Sequence, residues 1–290
     1  MLAEKKQDIR KLSLQELEAY FLSVGEKKFR AKQVYEWLWN KSMKNFDEMS
    51  NISKSTREIL KENFTINHIL VDQFQRSTDG TIKNAVKLYD NNIVESVLIP
   101  TSKRITACVS SQVGCSLDCN FCATARLKRM RNLNPDEIYD QVVAIQEEAS
   151  LYFDRPLTNI VFMGMGEPLL NYQNVLSAIE KICSPEGLGI SPKRITLSTV
   201  GIGKMIRKLA DDEVKFNLAL SLHSAINETR TRLMPINETN TVEDLAMALK
   251  YRYSKTKRKV TMNMLYGMVS MMTRNMPGHW LNSANTFLQR

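Results

Sequence analysis

From about residue 100 onward, short runs rich in β-branched residues alternate with amphipathic stretches, and this alternation limits the possible folds more than any other feature. Strands are predicted for RITACVSS, TNIVFMG, KRITLSTV, KFNLALSLH and KRKVTM. Helices are predicted between them, for NPDEIYDQVVAIQEEAS, NYQNVLSAIEKIC, IGKMIRKLAD and TVEDLAMALKYRYSK. Near-continuous apolar strands that alternate with helices are typical of a parallel sheet built from right-handed βα units. The pattern therefore predicts an α/β core, which we place at residues 101–261.

Two different segments precede this core. Residues 1–64 predict a helical domain, in which Ser13 caps the first helix, Glu16 completes a capping box and Gly25 ends it. Further helices are predicted for FRAKQVYEWLWNK and SKSTREILKENF. Residues 65–100 predict a β-rich connecting segment with a turn at Asp79-Gly80. The lysines and arginines of the helical domain are typical of an RNA-docking module, although a single charge run more commonly forms a solvated helical surface.

Charge and hydropathy narrow the class of protein. The formal net charge of +9 and the pI of about 9.2 suit a polyanionic partner and equally a merely basic protein. No run approaches the roughly 20 apolar residues that a membrane-spanning helix needs. The first residues, MLAEKKQDIRKL, lack the apolar region of a signal peptide. We therefore expect a cytoplasmic protein without a membrane partner, whose thiols stay reduced and serve metal binding or catalysis.

Three of the five cysteines lie close together in VGCSLDCNFCATA, with the spacing C-x3-C-x2-C. A structural zinc site needs four ligands, and no second C-x2-C pair is present. A redox-active C-x-x-C formed by Cys119 and Cys122 would leave Cys115 unexplained. A [4Fe–4S] cluster held by three thiolates would leave one iron open to a ligand that is not protein. The third reading explains why a fourth thiol is missing.

Polar residues follow three of the predicted strands. Glu167 stands in FMGMGEP, Ser198 in TLSTVG, and Ser221 and His223 in LALSLHS. Functional groups in parallel βα folds cluster at the carboxyl ends of the strands. A single histidine is usually structural, and His223 gains weight only because it ends a third strand in register with the other polar groups. The sequence therefore predicts a cofactor site at this edge of the sheet, where Glu167 could accept hydrogen bonds from an amino group.

These motifs resemble two related groups of proteins. The cysteine spacing resembles that of the radical S-adenosylmethionine (SAM) superfamily. The motifs CVSSQVGCSLDCNFCATA, FMGMGEPLLNY, TLSTVGI and ALSLHS…R…LMPIN are together similar to those of the RlmN family of RNA adenine C2-methyltransferases, from about residue 10 to Thr261. The related Cfr enzymes methylate C8 of adenine, so C8 specificity stays an alternative. The resemblance implies a partial (β/α) barrel of the radical-SAM type, preceded by a small helical domain and a short β segment.

The resemblance also implies residue roles, cofactors and partners. Cys115, Cys119 and Cys122 would hold the [4Fe–4S] cluster. The SAM site would be lined by Gly166, Glu167, Ser198, Ser221, Leu222 and His223. Glu95 would be the proton acceptor, and Cys108 one of two catalytic thiols that form a disulfide after a methyl-cysteine has reacted with the base. The substrates would be adenosines of 23S rRNA and adenosine 37 of some tRNAs, with an electron donor such as flavodoxin and a monomeric enzyme.

The chain departs from the family after Thr261. Residues 262–290 are rich in methionine, show no clear βα period, and contain none of the five cysteines, the last of which is Cys183. Codons exist for this tail that, read with one extra base in front, spell a family-like strand, polar loop and helix with a cysteine. A single-base deletion at the Thr261/Met262 junction would therefore explain the tail. We expect a C-terminally truncated core that binds a cluster without completing methylation; a non-catalytic RNA-binding remnant is the alternative.

One basic run lies just after the cysteine loop. The sequence RLKRMR, from Arg126 to Arg131, could contact RNA phosphates at the mouth of the site. A solvated loop is the alternative.

Overall fold

The N-terminal part of the chain forms three helices beside a short pair of strands, in a computed structural model that describes residues 6–265. The helices are α1 (Leu14–Ser23), α2 (Phe29–Trp39) and α3 (Lys54–Asn63). Strands β1 (Gln7–Asp8) and β2 (Phe64–Thr65), which the sequence analysis did not predict, pair in parallel. The predicted capping box is present: the Ser13 hydroxyl accepts from the Glu16 amide, and the Glu16 carboxylate accepts from the Ser13 amide. All three helices lie within residues 1–64, the segment for which the sequence predicts helices.

One eight-stranded sheet organises the rest of the described chain. Its strands are β3 (Leu70–Arg76), β4 (Ile82–Lys87), β5 (Ile93–Pro100), β6 (Ile105–Cys108), β9 (Asn159–Phe162), β10 (Ile195–Thr199), β11 (Asn217–Ser221) and β12 (Val260–Asn263). Their order is β12-β11-β10-β9-β6-β5-β4-β3. Strands β6 and β9 to β12 run parallel, as predicted, whereas β3 to β6 pair antiparallel. The connecting segment therefore continues the sheet of the core.

Helices connect the parallel strands. They are α4 (Pro135–Phe153), α5 (Tyr172–Cys183), α6 (Gly203–Asp211), α7 (Asn227–Leu233) and α8 (Val242–Thr256). The short helix α7 was not predicted, because seven residues carry too little periodicity. A separate antiparallel pair, β7 (Gln112–Val113) and β8 (Arg131–Asn132), brackets the cysteine loop. Within residues 6–265 the sheet is open, with β3 and β12 at its edges, as expected for a partial barrel.

The two faces of the sheet differ. On β5, Val94 and Leu98 are fully buried, whereas Glu95 between them is exposed. The same alternation on β9 buries Ile160 and Phe162. Since successive side chains on a strand point to opposite faces, one face packs under helices and the other is the open face.

A buried ion cluster joins the N-terminal domain to α4. The Arg10 guanidinium donates to the Asp140 carboxylate at 2.8 and 2.9 Å and to Asp136 at 3.3 Å. Its side chain is only 3% exposed. A buried guanidinium needs such partners, so this cluster fixes the docking of the two parts.

Two expectations concern the ends of the structure. Across residues 6–265, every helix is too short or too polar to cross a membrane. Of the predicted tail, 262–290, the part from residue 266 onward lies outside the described residues. Met262 and Asn263 belong to β12, which pairs in parallel with β11.

Candidate active site

A pocket of about 290 Å³ opens at the carboxyl ends of the parallel strands. Its lining includes most of the residues that the sequence analysis placed in the cofactor site: Cys115, Cys119, Cys122, Gly166, Glu167, Ser198, Ser221 and His223. These residues come from four separate segments of the chain. The parallel sheet brings them together because its strands all end at this edge.

Main-chain hydrogen bonds fix the second half of the cysteine loop. The Cys122 amide donates to the Cys119 carbonyl at 3.0 Å, and the Asn120 amide donates to the carbonyl of Leu233, the last residue of α7, at 2.9 Å. Burial raises the pKa of the Cys119 thiol to about 12 and also raises that of Cys115. The thiols are therefore protonated near neutral pH, and a metal that binds them must displace protons.

The donor set consists of three thiols from one loop, all of which line the pocket. In the part of the chain that the structure describes, no three His, Cys, Asp or Glu side chains converge closely enough to hold one metal ion. In an iron–sulfur cluster, by contrast, each thiolate binds a different iron, so the thiols stand farther apart. Three thiols around one pocket therefore suit a [4Fe–4S] cluster and leave room beside them.

The loop after β9 presents Gly166 and Glu167 to the pocket. Gly166 has a φ of +92°, and a Cβ there would lie 2.5 Å from the Gln112 side chain. The Glu167 amide donates to the Gln112 side-chain oxygen at 2.9 Å, which fixes the loop. Glycine is required here by both its conformation and the space available.

The Glu167 carboxylate is buried and accepts two hydrogen bonds from main-chain amides. It accepts from the Leu169 amide at 3.0 Å and from the Val200 amide at 2.9 Å. Burial nevertheless raises its pKa to about 7. A carboxylate has about four lone-pair sites, so it can still accept from a ligand's amino group, and a cation there would favour its charged form.

Ser198, Ser221 and His223 line the opposite wall. The two serine hydroxyls lie 3.4 Å apart on neighbouring strands. The His223 ring contacts the ring of Phe121 edge-to-face, with centroids 4.6 Å apart. Burial and the charge of Arg230 lower the pKa of His223. The imidazole is therefore neutral near pH 7, able to donate one hydrogen bond and accept another.

Leu222 differs from the prediction. Its side chain is buried and is not among those that line the pocket, while its amide donates to the Asn263 carbonyl at 3.1 Å. Its place in the site thus comes from its main chain.

Asn263 is a pocket residue that the sequence analysis missed. It lies opposite Ser221 across the β11–β12 pair and lines the pocket. Only its pairing with Ser221 in the sheet places Asn263 at the pocket. The sequence after Thr261 has no pattern that would have predicted this position. Its amide can both donate and accept.

Glu95 and Cys108 lie outside the pocket lining. Cys108 pairs with Val97, two residues from Glu95, so both predicted catalytic side chains lie on the open face. The Glu95 carboxylate is about half exposed and forms a 3.0 Å ion pair with the Lys83 ammonium. Burial raises the pKa of the Cys108 thiol to about 11. Their catalytic roles stay predictions, and all five cysteines are free, so the predicted disulfide has no support.

The basic run after the loop divides into two parts. Arg126, Lys128 and Arg129 are exposed near the pocket. The Arg131 guanidinium, however, forms a bidentate pair with Glu137 at 2.7 and 2.8 Å and a 2.6 Å pair with Asp90. Arg131 is therefore committed to the structure, which corrects the prediction that it is free for phosphates.

Comparisons with known proteins agree with this geometry. Residues 7–66 match the family described as the ribosomal RNA large subunit methyltransferase N-terminal domain, and residues 109–269 match the radical SAM superfamily. A solved structure, described as a radical SAM methyltransferase from Sphaerobacter thermophilus, superimposes with a TM-score of 0.82 at 34% identity. The matched region covers 89% of this chain and 76% of the Sphaerobacter thermophilus chain.

Curated relatives give the same answer. A probable dual-specificity RNA methyltransferase RlmN from Christiangramia forsetii is 69% identical over 258 residues, which cover 89% of this chain and 73% of the relative. A protein of the same description from Flavobacterium psychrophilum is 65% identical and covers 89% and 74%. With the three-thiol pocket and the matching fold, these similarities lead to one conclusion: the chain belongs to the RlmN family of radical SAM RNA methyltransferases.

Proposed function

We propose that these residues bind a [4Fe–4S] cluster and SAM in the pocket, as the cofactor-binding part of an RNA adenosine C2-methyltransferase. The observation that supports this most is the convergence of three thiols with Glu167, Ser198 and other polar strand-end groups on one pocket. A structural metal site would not need those polar groups. The relatives described above carry the RlmN name, which favours C2 over C8 specificity.

Each group has a distinct task in this proposal. Cys115, Cys119 and Cys122 would hold the cluster through their sulfur atoms. When bound, the cluster supplies the electron that cleaves the sulfonium of SAM. The Glu167 carboxylate would accept hydrogen bonds from the amino group of SAM. The hydroxyls of Ser198 and Ser221 and the side-chain amide of Asn263 would bind its other polar groups. Phe121, whose ring contacts His223, would give the cofactor an apolar surface on that side of the pocket.

On the open face, Glu95 is the proposed proton acceptor. Its carboxylate is about half exposed and pairs with the Lys83 ammonium at 3.0 Å. The buried Cys108 thiol is protonated at neutral pH and must lose its proton before it can act as a nucleophile.

The 290 residues lack a methyl carrier in this proposal. After Cys122 the sequence has only Cys183, which lies at the end of α5 and away from the pocket lining. Burial raises the pKa of that thiol to about 11, which makes it a poor nucleophile. We infer that these residues bind the cofactors and cleave SAM without completing methylation. The proposed cause, a single-base deletion at the Thr261/Met262 junction, is tested by sequencing the coding DNA there; an intact frame encoding this tail contradicts it.

Two experiments test the proposal, one for SAM cleavage and one for RNA methylation, and the first is decisive. The full chain is reconstituted anaerobically with iron and sulfide, reduced with dithionite and given SAM, and 5′-deoxyadenosine is measured. We expect 5′-deoxyadenosine from the wild type and none from Cys119→Ser, while Cys183→Ser behaves as the wild type. Absence of product from a wild type that carries the cluster contradicts the proposal.

RNA added to the same reaction is the second experiment. We expect no C2-methyladenosine by mass spectrometry when the chain is supplied with unmodified 23S rRNA or tRNA. Appearance of C2-methyladenosine contradicts the inferred loss of the methyl carrier, and C8-methyladenosine would reassign the specificity.

The proposed partners are 23S rRNA, tRNA and a one-electron donor such as flavodoxin, met in the cytoplasm by a monomer. The basic charge and the RlmN-type N-terminal match support RNA as the substrate. Retention of a labelled tRNA by the full chain, lost at high salt, tests this partner.

A further inference from the structure

Arg230 is a fully buried cation behind the wall of the pocket. Its guanidinium donates only to neutral acceptors: the Leu222 carbonyl at 3.2 Å, the Asn237 side chain at 2.7 Å, and the carbonyls of Asn240 and Val200. Among the ion pairs of residues 6–265, none includes Arg230. The charge is thus hydrogen-bonded but not neutralised within the described chain.

A charge buried in this way is costly. Removing an ion from water is unfavourable even after the protein relaxes, and hydrogen bonds to neutral acceptors recover only part of this free energy. The same chain surrounds its buried Arg10 with three aspartates. Among the described residues, neither Arg230 nor the equally buried Arg252 has such a carboxylate, so what distinguishes Arg230 is its position beside the cysteine loop.

The geometry points toward the cysteine loop. Arg230 lies on α7, whose last residue Leu233 accepts the hydrogen bond from Asn120, between Cys119 and Cys122. Two of its acceptors, Val200 and Leu222, directly follow the strands that carry Ser198 and Ser221. The guanidinium therefore connects the ends of two pocket strands with the helix under the loop.

The electrostatics agree with this placement. Burial lowers the pKa of Arg230 to about 10, and the opposing influence is the negative charge of a Cys119 thiolate. Thiolates that ligate a cluster carry that charge permanently, because metal binding displaces their protons.

We propose that Arg230 is the internal counter-charge of the thiolate-bound cluster and makes that cluster easier to reduce. Reduction adds one electron from an external donor, breaks no bond and moves no proton. Because it adds negative charge, a fixed cation nearby stabilises the reduced form more than the oxidised form, and net charge is among the factors that set cluster potentials. Arg230 is a positioning residue here, since it touches the pocket only through other groups. The inference rests on the proposed cluster site.

The test is a redox titration of the reconstituted full chain, followed by absorbance and by the EPR signal of the reduced cluster. Arg230→Met removes the charge and Arg230→Lys keeps it. Arg252→Met is the matched control, because Arg252 is also fully buried, has its pKa lowered to about 10 by burial, and has another arginine, Arg258, as its charged neighbour.

We expect Arg230→Met to be about tenfold harder to reduce, which is about 59 mV for a one-electron couple. Arg230→Lys and Arg252→Met should stay within a threefold change of the wild-type equilibrium. An unchanged potential in Arg230→Met, or an equal shift in Arg252→Met, overturns the proposal. If Arg230→Met does not fold, Arg230→Lys carries the test: a wild-type potential supports the charge role, and a tenfold shift despite the retained charge overturns it. A wild type that assembles no cluster refutes the proposed function itself.

Discussion

The Ser110 hydroxyl donates a 2.6 Å hydrogen bond to the main-chain carbonyl of Glu95. The Ser110 hydroxyl oxygen also accepts a 2.8 Å hydrogen bond from the Met165 amide. Met165 lies in the loop that presents Glu167 to the pocket. A single buried side chain therefore joins the strand of the proposed proton acceptor to the loop of the proposed SAM site.

Replacing Ser110 by alanine should destabilise the protein by about 1–3 kcal/mol, because the buried Met165 amide loses its acceptor. Urea denaturation of the purified chain measures the effect. Ser96→Ala is the matched control, since the Ser96 hydroxyl is equally buried on β5 but has no hydrogen-bond partner. Its removal should cost nothing, and equal losses in both variants would contradict the role assigned to Ser110.

The buried carboxylates around Arg10 make stability depend on pH. Burial, and the carboxylates of Asp8, Asp140 and Glu137, raise the pKa of Asp136 to about 7 against the pull of Arg10. Because the folded-state pKa lies above the ordinary value of 3.8, the folded protein holds a proton that the unfolded chain releases between about pH 4 and 7. Stability from this group therefore falls as the pH rises through that window.

Asp136→Asn should remove that dependence. Its amide oxygen can still accept from Arg10, so we expect unchanged stability at pH 4 and higher stability than the wild type at pH 8. Thermal denaturation across this range measures the difference. Asp140→Asn should instead be destabilised at every pH, because it breaks the bidentate pair with Arg10. Parallel stability curves for Asp136→Asn and the wild type would show that Asp136 titrates normally.

The sequence predicts the local elements of this fold well and the long-range ones poorly. The capping box of Ser13 and Glu16 is confirmed, because all of its atoms lie within one turn. The pairing of β6 with β9 and the antiparallel extension β3 to β5 depend on contacts between distant segments, which no local pattern encodes.

The site shows the same division. The alternation of strand and helix patterns places Ser198 and Ser221 at strand ends, and parallel strands have their carboxyl ends at the same edge of a sheet. In the structure both residues line one pocket. Asn263 was missed because its position depends on strand register. Arg230 was missed because a charged residue in a short polar helix normally faces solvent, whereas here the packing of α7 against the strand ends buries it.

Gly166→Ala should abolish SAM binding. The new Cβ would lie 2.5 Å from Gln112, which holds the Glu167 amide, so the loop must move. Equilibrium dialysis with labelled SAM measures the loss. Gly189→Ala is the control: it has a φ of +65° but no atom within 4 Å of its Cβ, so it should cost about 1 kcal/mol of stability and leave binding unchanged. Wild-type SAM affinity in Gly166→Ala would exclude this loop from the site.

Lys128 and Arg131, from the two parts of the basic run, should affect the salt dependence of RNA affinity differently. Lys128 is exposed, and if its ammonium contacts a phosphate, Lys128→Ala should lower the slope of log affinity against log salt by about 0.7, with little effect on stability. Arg131→Ala should do the reverse, because it leaves the fully buried Glu137 carboxylate without its bidentate partner and so unfolds at lower urea. Fluorescence anisotropy with a labelled RNA hairpin, read beside urea denaturation, distinguishes the two. A reduced salt slope in a stably folded Arg131→Ala would mean that Arg131 leaves Glu137 to bind RNA.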